Sequence, residues 1–229
     1  MRNSDNNHPV NPLPPVVVVL AAVIAGIEVL FTLAAKGVIG PPEAVGWRLA
    51  AIRDYGFWPR ILQWMLETGR TPPELMLRFV TYPFLHYSFM QMVFVVVFIL
   101  AIGKAVGEVL RFWAVLAVFF GASVAGALLY GLLVPKGPPL VGGFPGVYGL
   151  IGAFTHLLML NLAAVGENRL RAFTLIGFLL LVQLVFGVLF GTGPDWIADL
   201  TGFAAGFALS IPLAPGGWRH FLERIRTRR

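Results

Sequence analysis

Few side chains in this sequence could do chemistry, and most of them lie in apolar surroundings. The most distinctive stretch is 142–149, Gly-Gly-Phe-Pro-Gly-Val-Tyr-Gly, which leads directly into a long apolar run. Several hydrolases expose a serine at a glycine-rich turn of this kind, because the first N–H groups of the following helix can stabilise an oxyanion. Here the central residue is Pro145, which has neither a hydroxyl nor an N–H. The turn therefore predicts a helix start near Pro145 without a nucleophile.

The histidines and the absent cysteines limit the remaining chemistry. The chain has no cysteine, which excludes disulfides and thiolate sites. It has no HExxH motif, and its histidines have no metal-ligand spacing. We therefore expect no metal and no cofactor. The histidines are His8, His86, His156 and His220.

The composition is that of a membrane protein. Hydrophobic residues make up 58% of the 229 residues and charged residues only 12%. The net charge of +6 lies mainly beside apolar segments, where anionic lipid and topology explain it, so nucleic-acid binding is not expected. A membrane helix needs about 20 residues, which leaves room for six spans.

We predict an all-α membrane protein, a bundle of six transmembrane helices with a long first outer loop. Residues 1–12 are expected to form a disordered cytoplasmic tail, 13–213 the membrane domain, and 214–229 a basic cytoplasmic tail. The predicted spans are 13–35, 84–106, 112–134, 146–165, 172–190 and 196–213.

The orientation follows from the basic residues. Ten of the 17 Lys and Arg residues lie on the side of the two termini, whereas the short loops of the opposite side carry only Lys136. By the positive-inside rule both termini are cytoplasmic. We expect a multi-pass protein of a bacterial inner (plasma) membrane, with Pro145 and Asp199 near its outer face.

The first loop, residues 36–83, is long enough to have a function of its own. Within it, Trp58, Ile61, Leu62 and Met65 fall on one helical face. Such a stripe is typical of an interfacial helix lying among lipid headgroups, and equally of a helix packed on the protein's own spans.

Patterns on the second, fourth and sixth spans together resemble the rhomboid family of intramembrane serine proteases. Active members carry His-x-x-x-x-His-x-x-x-Asn, Gly-x-Ser-Gly and Ala-His-x-x-Gly-x-x-x-Gly, with a Trp-Arg-x-x-Thr element in the first loop. The resemblance covers most of residues 75–210. The corresponding residues here are His86, Gln91 and Val95; Gly143, Phe144, Pro145 and Gly146; Ala198, Asp199, Gly202 and Gly206; and Leu77, Arg78 and Thr81.

What this resemblance retains is a scaffold. It consists of His86, Gly143, Gly146, Gly202, Gly206, Arg78 and Thr81, together with Tyr148, which matches a tyrosine that follows the serine in many members.

What the resemblance lacks is the catalytic set. It implies that the family's nucleophile position is Pro145, that its base position is Asp199, and that two oxyanion-donor positions are Gln91 and Val95. Acyl transfer needs an activated nucleophile beside a base, and a pyrrolidine ring cannot supply one. We therefore interpret the chain as a rhomboid-like pseudoprotease with no intact catalytic residue.

Other hydroxyls are poor substitutes for a catalytic serine. Ser88 stands two residues after His86, and Thr201 two residues after Asp199. Residues two apart on a helix do not face each other, so neither hydroxyl is expected to face its neighbouring histidine or aspartate. Ser123 and Thr155 lie among apolar residues, where a hydroxyl usually bonds to its own helix. His156 and Asn161 are expected to form interhelical hydrogen bonds rather than ligand sites.

Two intramembrane acids need an explanation. In a functional interpretation, Asp199 is a polar contact for a client helix or part of a proton or ion path. In a structural interpretation, it is a carboxylate bonded to Tyr148, Gln91 or Thr201, and we favour this second interpretation. Glu28 lies roughly 10 Å below the outer end of its span at about 1.5 Å per residue. Its partner is expected to be His86 or a first-loop arginine. The candidate polar cluster is Glu28, His86, Gln91, Tyr148 and Asp199.

Three functions remain. The resemblance to inactive rhomboids and derlins implies a non-catalytic membrane protein that binds transmembrane segments of client proteins and affects their stability or assembly. The alternative is an intramembrane serine endopeptidase with an atypical site. A weaker alternative is a proton or ion path through Glu28, Asp199 and His86.

Overall fold

The computed structural model describes residues 12–181 and 193–215, and every regular element of this part of the chain is helical. Two single residues, Phe57 and Leu140, pair in an antiparallel manner without forming a strand. The helices are α1 (Pro15–Ala35), α2 (Trp47–Tyr55), α3 (Pro59–Thr68), α4 (Pro73–Thr81), α5 (Phe89–Gly107), α6 (Phe112–Leu133), α7 (Phe144–Ala164), α8 (174–181 within the described residues) and α9 (Trp196–Leu213).

Five of these helices are long and apolar enough to cross a membrane: α1, α5, α6, α7 and α9. Each coincides with a predicted span, which confirms a multi-pass helical membrane protein. The predicted fifth span, 172–190, begins with a 3₁₀ turn, Arg169–Phe173, and continues into α8. Its later part, from residue 182 onward, lies outside the described residues.

The start of the second span differs from the sequence prediction. Helix α5 begins at Phe89, so His86 lies before the helix rather than inside it. The reason is a local cap, because the Ser88 hydroxyl accepts a hydrogen bond from the Gln91 N–H at 3.2 Å. By contrast, α7 begins at Phe144 with Pro145 in its first turn, as the glycine-rich turn predicted.

Helix α7 lies at the centre of the bundle, and glycines let its neighbours approach closely. A Cβ atom on Gly149 would meet the Ala122 Cβ of α6, and one on Gly152 would meet the Phe203 carbonyl of α9. Small residues allow such backbone approach in lipid, where helix association depends on close packing.

The first loop contains helices α2, α3 and α4. Leu62 and Met65 of α3 are buried, and the Gln63 side chain donates a hydrogen bond to the Gly131 carbonyl of α6 at 2.9 Å. The stripe predicted for this helix therefore packs on the protein's own bundle. Trp64 and Leu66, which flank this stripe, are exposed.

Candidate functional site

The first turns of α7 and α9 meet where the sequence placed the candidate site. A Cβ atom on Gly202 would overlap the Pro145 carbonyl. A Cβ atom on Gly126 of α6 would lie 2.7 Å from the Ala198 carbonyl and 3.1 Å from the Pro145 Cβ. Pro145 and Asp199 are both buried at this junction. The segments around Pro145 and around Ala198–Gly202 therefore lie side by side at this junction.

The loop before α7 is held by backbone bonds on several sides. Leu140 and Phe57 exchange N–H···O bonds of 2.8 and 3.1 Å, and the Gly142 N–H donates to the Tyr82 carbonyl at 3.1 Å. Gly142 has φ +104°, a conformation that side chains other than glycine rarely adopt. These backbone bonds and the conformation of Gly142 fix the entry of the chain into α7.

The resemblance assigns Gln91 and Val95 to two oxyanion-donor positions of the family. The Gln91 side chain accepts a hydrogen bond from the Tyr87 N–H at 2.9 Å and donates to the Val141 carbonyl at 3.4 Å. Val95 is fully buried, and a Cβ on Gly143 would lie 2.8 Å from its Cγ1. Gln91 therefore holds the loop in place, and Val95 packs against it.

Asp199 is a buried acid beside tyrosines. Its side chain is 7% exposed, and its charge acts on Tyr148 and on Tyr82. The Tyr82 hydroxyl donates to the Ser123 carbonyl at 2.8 Å, and burial raises the pKa of Tyr82. Both Asp199 and Tyr148 interact with other groups, so neither is an unpartnered side chain. These surroundings favour the structural interpretation of Asp199.

Arg78 and Thr81 of α4 hold two helices of the first loop together. Arg78 Nη1 donates to the Arg53 carbonyl at 2.8 Å and to the Gly56 carbonyl at 3.0 Å. The Thr81 hydroxyl lies 2.9 Å from the Tyr55 carbonyl. Helix α4 thereby secures the C-terminal end of α2, directly before the Phe57 pairing with the α7 loop.

We expect R78A to lower the free energy of unfolding by about 1–2 kcal/mol, because two backbone carbonyls lose a charged donor. Unfolding of the detergent-solubilised protein in increasing denaturant measures this change. R53A is the matched control, since it removes an exposed pair with Asp54 and leaves the Arg53 carbonyl in place, so it should change stability little. Equal effects of the two variants would contradict this role of Arg78.

The first-loop arginine expected beside Glu28 is Arg48. Its Nη2 and Nη1 atoms contact the Glu28 carboxylate at 2.7 and 2.8 Å, and Nη1 also donates to the His86 carbonyl at 2.9 Å. Glu28 is only 1% exposed. An unpaired charge at the centre of a membrane helix costs about 2.5–3.5 kcal/mol. Glu28 is therefore paired through both carboxylate oxygens with the first loop.

His86 is buried without a well-placed hydrogen bond. It is 1% exposed, and among the described residues neither ring nitrogen has a partner of good geometry. Burial lowers the pKa of His86 to about 4, opposed by the Phe84 carbonyl and reinforced by the charge of Arg48. The imidazole is therefore neutral at physiological pH.

This shift predicts a pH dependence of stability. The unfolded chain binds the His86 proton near pH 6.5, whereas the folded chain binds it only near pH 4. Stability from His86 should be complete above about pH 6.5 and fall by up to roughly 1.4 kcal/mol per pH unit as the pH drops toward 4. Unfolding measured from pH 7.5 to pH 4.5 should show a shallower decline for H86N. The same slope in both proteins would contradict the shift.

The hydroxyls considered as substitute nucleophiles bond back to their own helices. Ser123 donates to the Phe119 carbonyl at 2.8 Å, Thr155 to the Ile151 carbonyl at 2.8 Å, and Thr201 to the Ile197 carbonyl at 2.7 Å. The prediction for Ser123 and Thr155 is confirmed. Ser88 serves as the cap of α5.

A buried serine–histidine pair links α7 and α9 away from this site. Ser210 Oγ lies 2.8 Å from His156 Nδ1 and donates to the Phe207 carbonyl at 2.7 Å. The pair is an interhelical hydrogen bond, as expected for His156. Asn161, by contrast, is exposed at the other end of α7.

The predicted polar cluster falls into two groups. Glu28 and His86 are linked through Arg48, and Gln91 lies next to His86 across Gly142. Asp199 and Tyr148 belong to the α7–α9 junction. Within residues 12–181 and 193–215, no group of three or more His, Cys, Asp or Glu side chains is placed to hold a metal ion.

The five apolar helices and the glycine-mediated packing around α7 define a polytopic helical membrane protein with a candidate site at the N-terminal ends of α7 and α9. The Rhomboid domain family model matches residues 73–216, so the chain belongs to the rhomboid family. No curated protein matches this sequence.

Proposed function

We propose that this protein is a non-catalytic rhomboid that binds transmembrane segments of other membrane proteins and affects their stability or assembly. In the proposed topology it has six spans, the fifth running from α8 through the residues that follow. Both termini are cytoplasmic, and the protein resides in a bacterial inner membrane. The excess of basic residues at the ends of the spans on the side of the termini supports this orientation.

The observation that carries the proposal is the residue at the nucleophile position. Pro145 lies in the first turn of α7, next to the start of α9, where the family places its catalytic serine. Proline cannot attack a carbonyl, and it cannot donate the backbone N–H that would stabilise an oxyanion. A helix start tolerates proline well, so the substitution is compatible with an intact fold.

Neighbouring groups support the same conclusion. In this proposal Asp199 stands in place of the family's imidazole, and the hydroxyls of Ser123, Thr155 and Thr201 donate to backbone carbonyls. The scaffold that surrounds these positions is closely packed, with Gly202 against Pro145 and Val95 against Gly143. A fold kept without its nucleophile is better suited to binding membrane helices than to cutting them.

Covalent labelling distinguishes this proposal from a serine endopeptidase with an atypical site. We expect the purified protein in detergent to form no adduct with a fluorophosphonate probe and to leave a model transmembrane substrate uncut. An active rhomboid protease treated in parallel is the positive control. An adduct on any residue of this chain, or cleavage of the substrate that the probe blocks, would refute the proposal.

Client binding needs a separate experiment. A photo-crosslinking amino acid at the exposed Phe94 of α5 is expected to capture a discrete membrane protein in intact cells. The matched control carries the same group at the exposed Val19 of α1. Equal adducts from both positions, or none from Phe94, would mean that this face of α5 is not a docking site.

A further inference from the structure

An ion pair between the first loop and α1 links three separate segments of the chain. Arg48 of α2 contacts Glu28 of α1 through both of its Nη atoms, and the same guanidinium donates to the His86 carbonyl in the segment before α5. Thr32 Oγ1 donates to Glu28 Oε1 at 3.2 Å. The carboxylate is almost completely buried, and the Arg48 side chain is 17% exposed.

Glu28 and Arg48 lie outside the part of the chain that the Rhomboid domain accounts for. That domain begins at residue 73, within α4. The pair therefore attaches α1 and α2 to the domain, through the backbone of His86. His86 itself lies next to Gly142, so the attachment ends beside the loop that enters α7.

Neither charge is well accommodated alone. A carboxylate buried in α1 without a partner is costly in lipid, and a guanidinium held under the loop without an anion is also costly. The cost falls only when α1 is inserted and α2 is docked on it at the same time. Bidentate geometry adds a directional requirement, because both Nη atoms face the carboxylate while Nη1 still reaches the His86 carbonyl.

We propose that the Glu28–Arg48 pair is an interlock that couples the insertion of α1 to the docking of the first loop over the site. The docked position of α2 depends on Glu28, and the burial of Glu28 depends on α2. Arg48 acts as a positioning residue for the segment 85–88. This proposal concerns the assembly of the fold and holds whether or not the protein binds clients.

The test uses the absence of natural cysteines, which makes a single introduced thiol an unambiguous reporter. Ile52 of α2 is 6% exposed and packs with Leu85 and Val141, so I52C reports undocking of the loop. Ser123 of α6 is fully buried in the bundle, and S123C is nearly isosteric, so it reports general unfolding. The rate of maleimide labelling is measured for each reporter in detergent, with and without E28Q, R48Q and the E28Q/R48Q pair.

R48Q is expected to raise the I52C labelling rate at least tenfold while leaving the S123C rate within about twofold. E28Q should also raise the I52C labelling rate, because Arg48 loses its counter-charge, but by less than R48Q, because an amide oxygen still accepts a hydrogen bond from Arg48. In the E28Q/R48Q variant both charges are gone, so the I52C rate should return toward that of the parent protein.

Three results would overturn the interlock. The first is an unchanged I52C rate in R48Q. The second is an equal rise at S123C, which would mean that the pair only stabilises the whole fold. The third is a double variant whose effect equals the product of the two single effects, which would mean that the residues are not coupled.

Discussion

Replacing Gly206 with valine is expected to leave little folded protein. A Cβ atom at this position would overlap the carbonyl group and Cα of Gly149, which are backbone atoms at the centre of the bundle. These atoms cannot rotate away as a flexible side chain can, so α9 would have to separate from α7. We expect a loss of at least about 3 kcal/mol, the upper end of overpacking costs. The yield of monodisperse protein after detergent extraction measures the effect.

The matched control is the same change at Gly26. This glycine is also in a membrane-spanning helix, but a Cβ atom there would meet nothing within 4 Å. G26V should therefore give the parental yield and the parental unfolding curve. If G206V and G26V behaved alike, the close approach of α7 and α9 would not be what holds the bundle together.

The P145S/D199H variant is expected to gain reactivity toward a fluorophosphonate probe. The two changes return a hydroxyl and an imidazole to the junction where Gly202 contacts the Pro145 backbone. They also return the backbone N–H that proline lacks. Nucleophile and base act as a unit, so P145S alone and D199H alone should each label at least about 10³-fold more slowly than the double variant.

Mass spectrometry of the adduct checks this gain, and P145A/D199H is its control. That control has the imidazole and the backbone N–H but no hydroxyl, so it should remain unlabelled. An adduct on the control would locate the reactive group elsewhere in the chain. A folded but unreactive P145S/D199H would show that the α7–α9 junction no longer has the geometry of a catalytic dyad.

Much of the fold was predictable because apolar length alone defines a membrane helix. The spans that correspond to α6, α7 and α9 were predicted to within two residues at each end. An apolar segment of this length in lipid must satisfy its backbone hydrogen bonds internally, which it does as an α-helix. The start of α7 was predictable for a local reason, because proline and glycine fix the geometry of a helix entry.

The start of α5 was not predictable from hydropathy. Phe84 and Leu85 are apolar, yet the Ser88 cap begins the helix at Phe89 and leaves His86 outside it. Arg48 was likewise not distinguishable from the other first-loop arginines by sequence. Which of them reaches Glu28 depends on how α2 docks, and docking is a tertiary property that periodicity does not encode.

In the candidate site, the resemblance to the rhomboid family indicated which residues to expect, and the structure showed which groups those residues contact. Gln91 was expected as a lost oxyanion donor or as a partner of Asp199, whereas its amide holds the backbone at Tyr87 and Val141. Arg78 and Thr81 were expected as retained scaffold, and their carbonyl partners on α2 explain why a scaffold needs them. Such contacts join residues that are distant in sequence, so no local pattern reveals them.

The glycines along α7 and α9 have a consequence for how such a protein diverges. At position 145 a small residue that suits the first turn of a helix is expected to keep the chain foldable, because it fits the space beside Gly126 and Gly202. At Gly149, Gly152 and Gly206 the space is already filled by neighbouring backbone or Cβ atoms, and drift is blocked. We therefore expect a small substitution at position 145 to disturb this architecture less than a substitution at any of these three glycines.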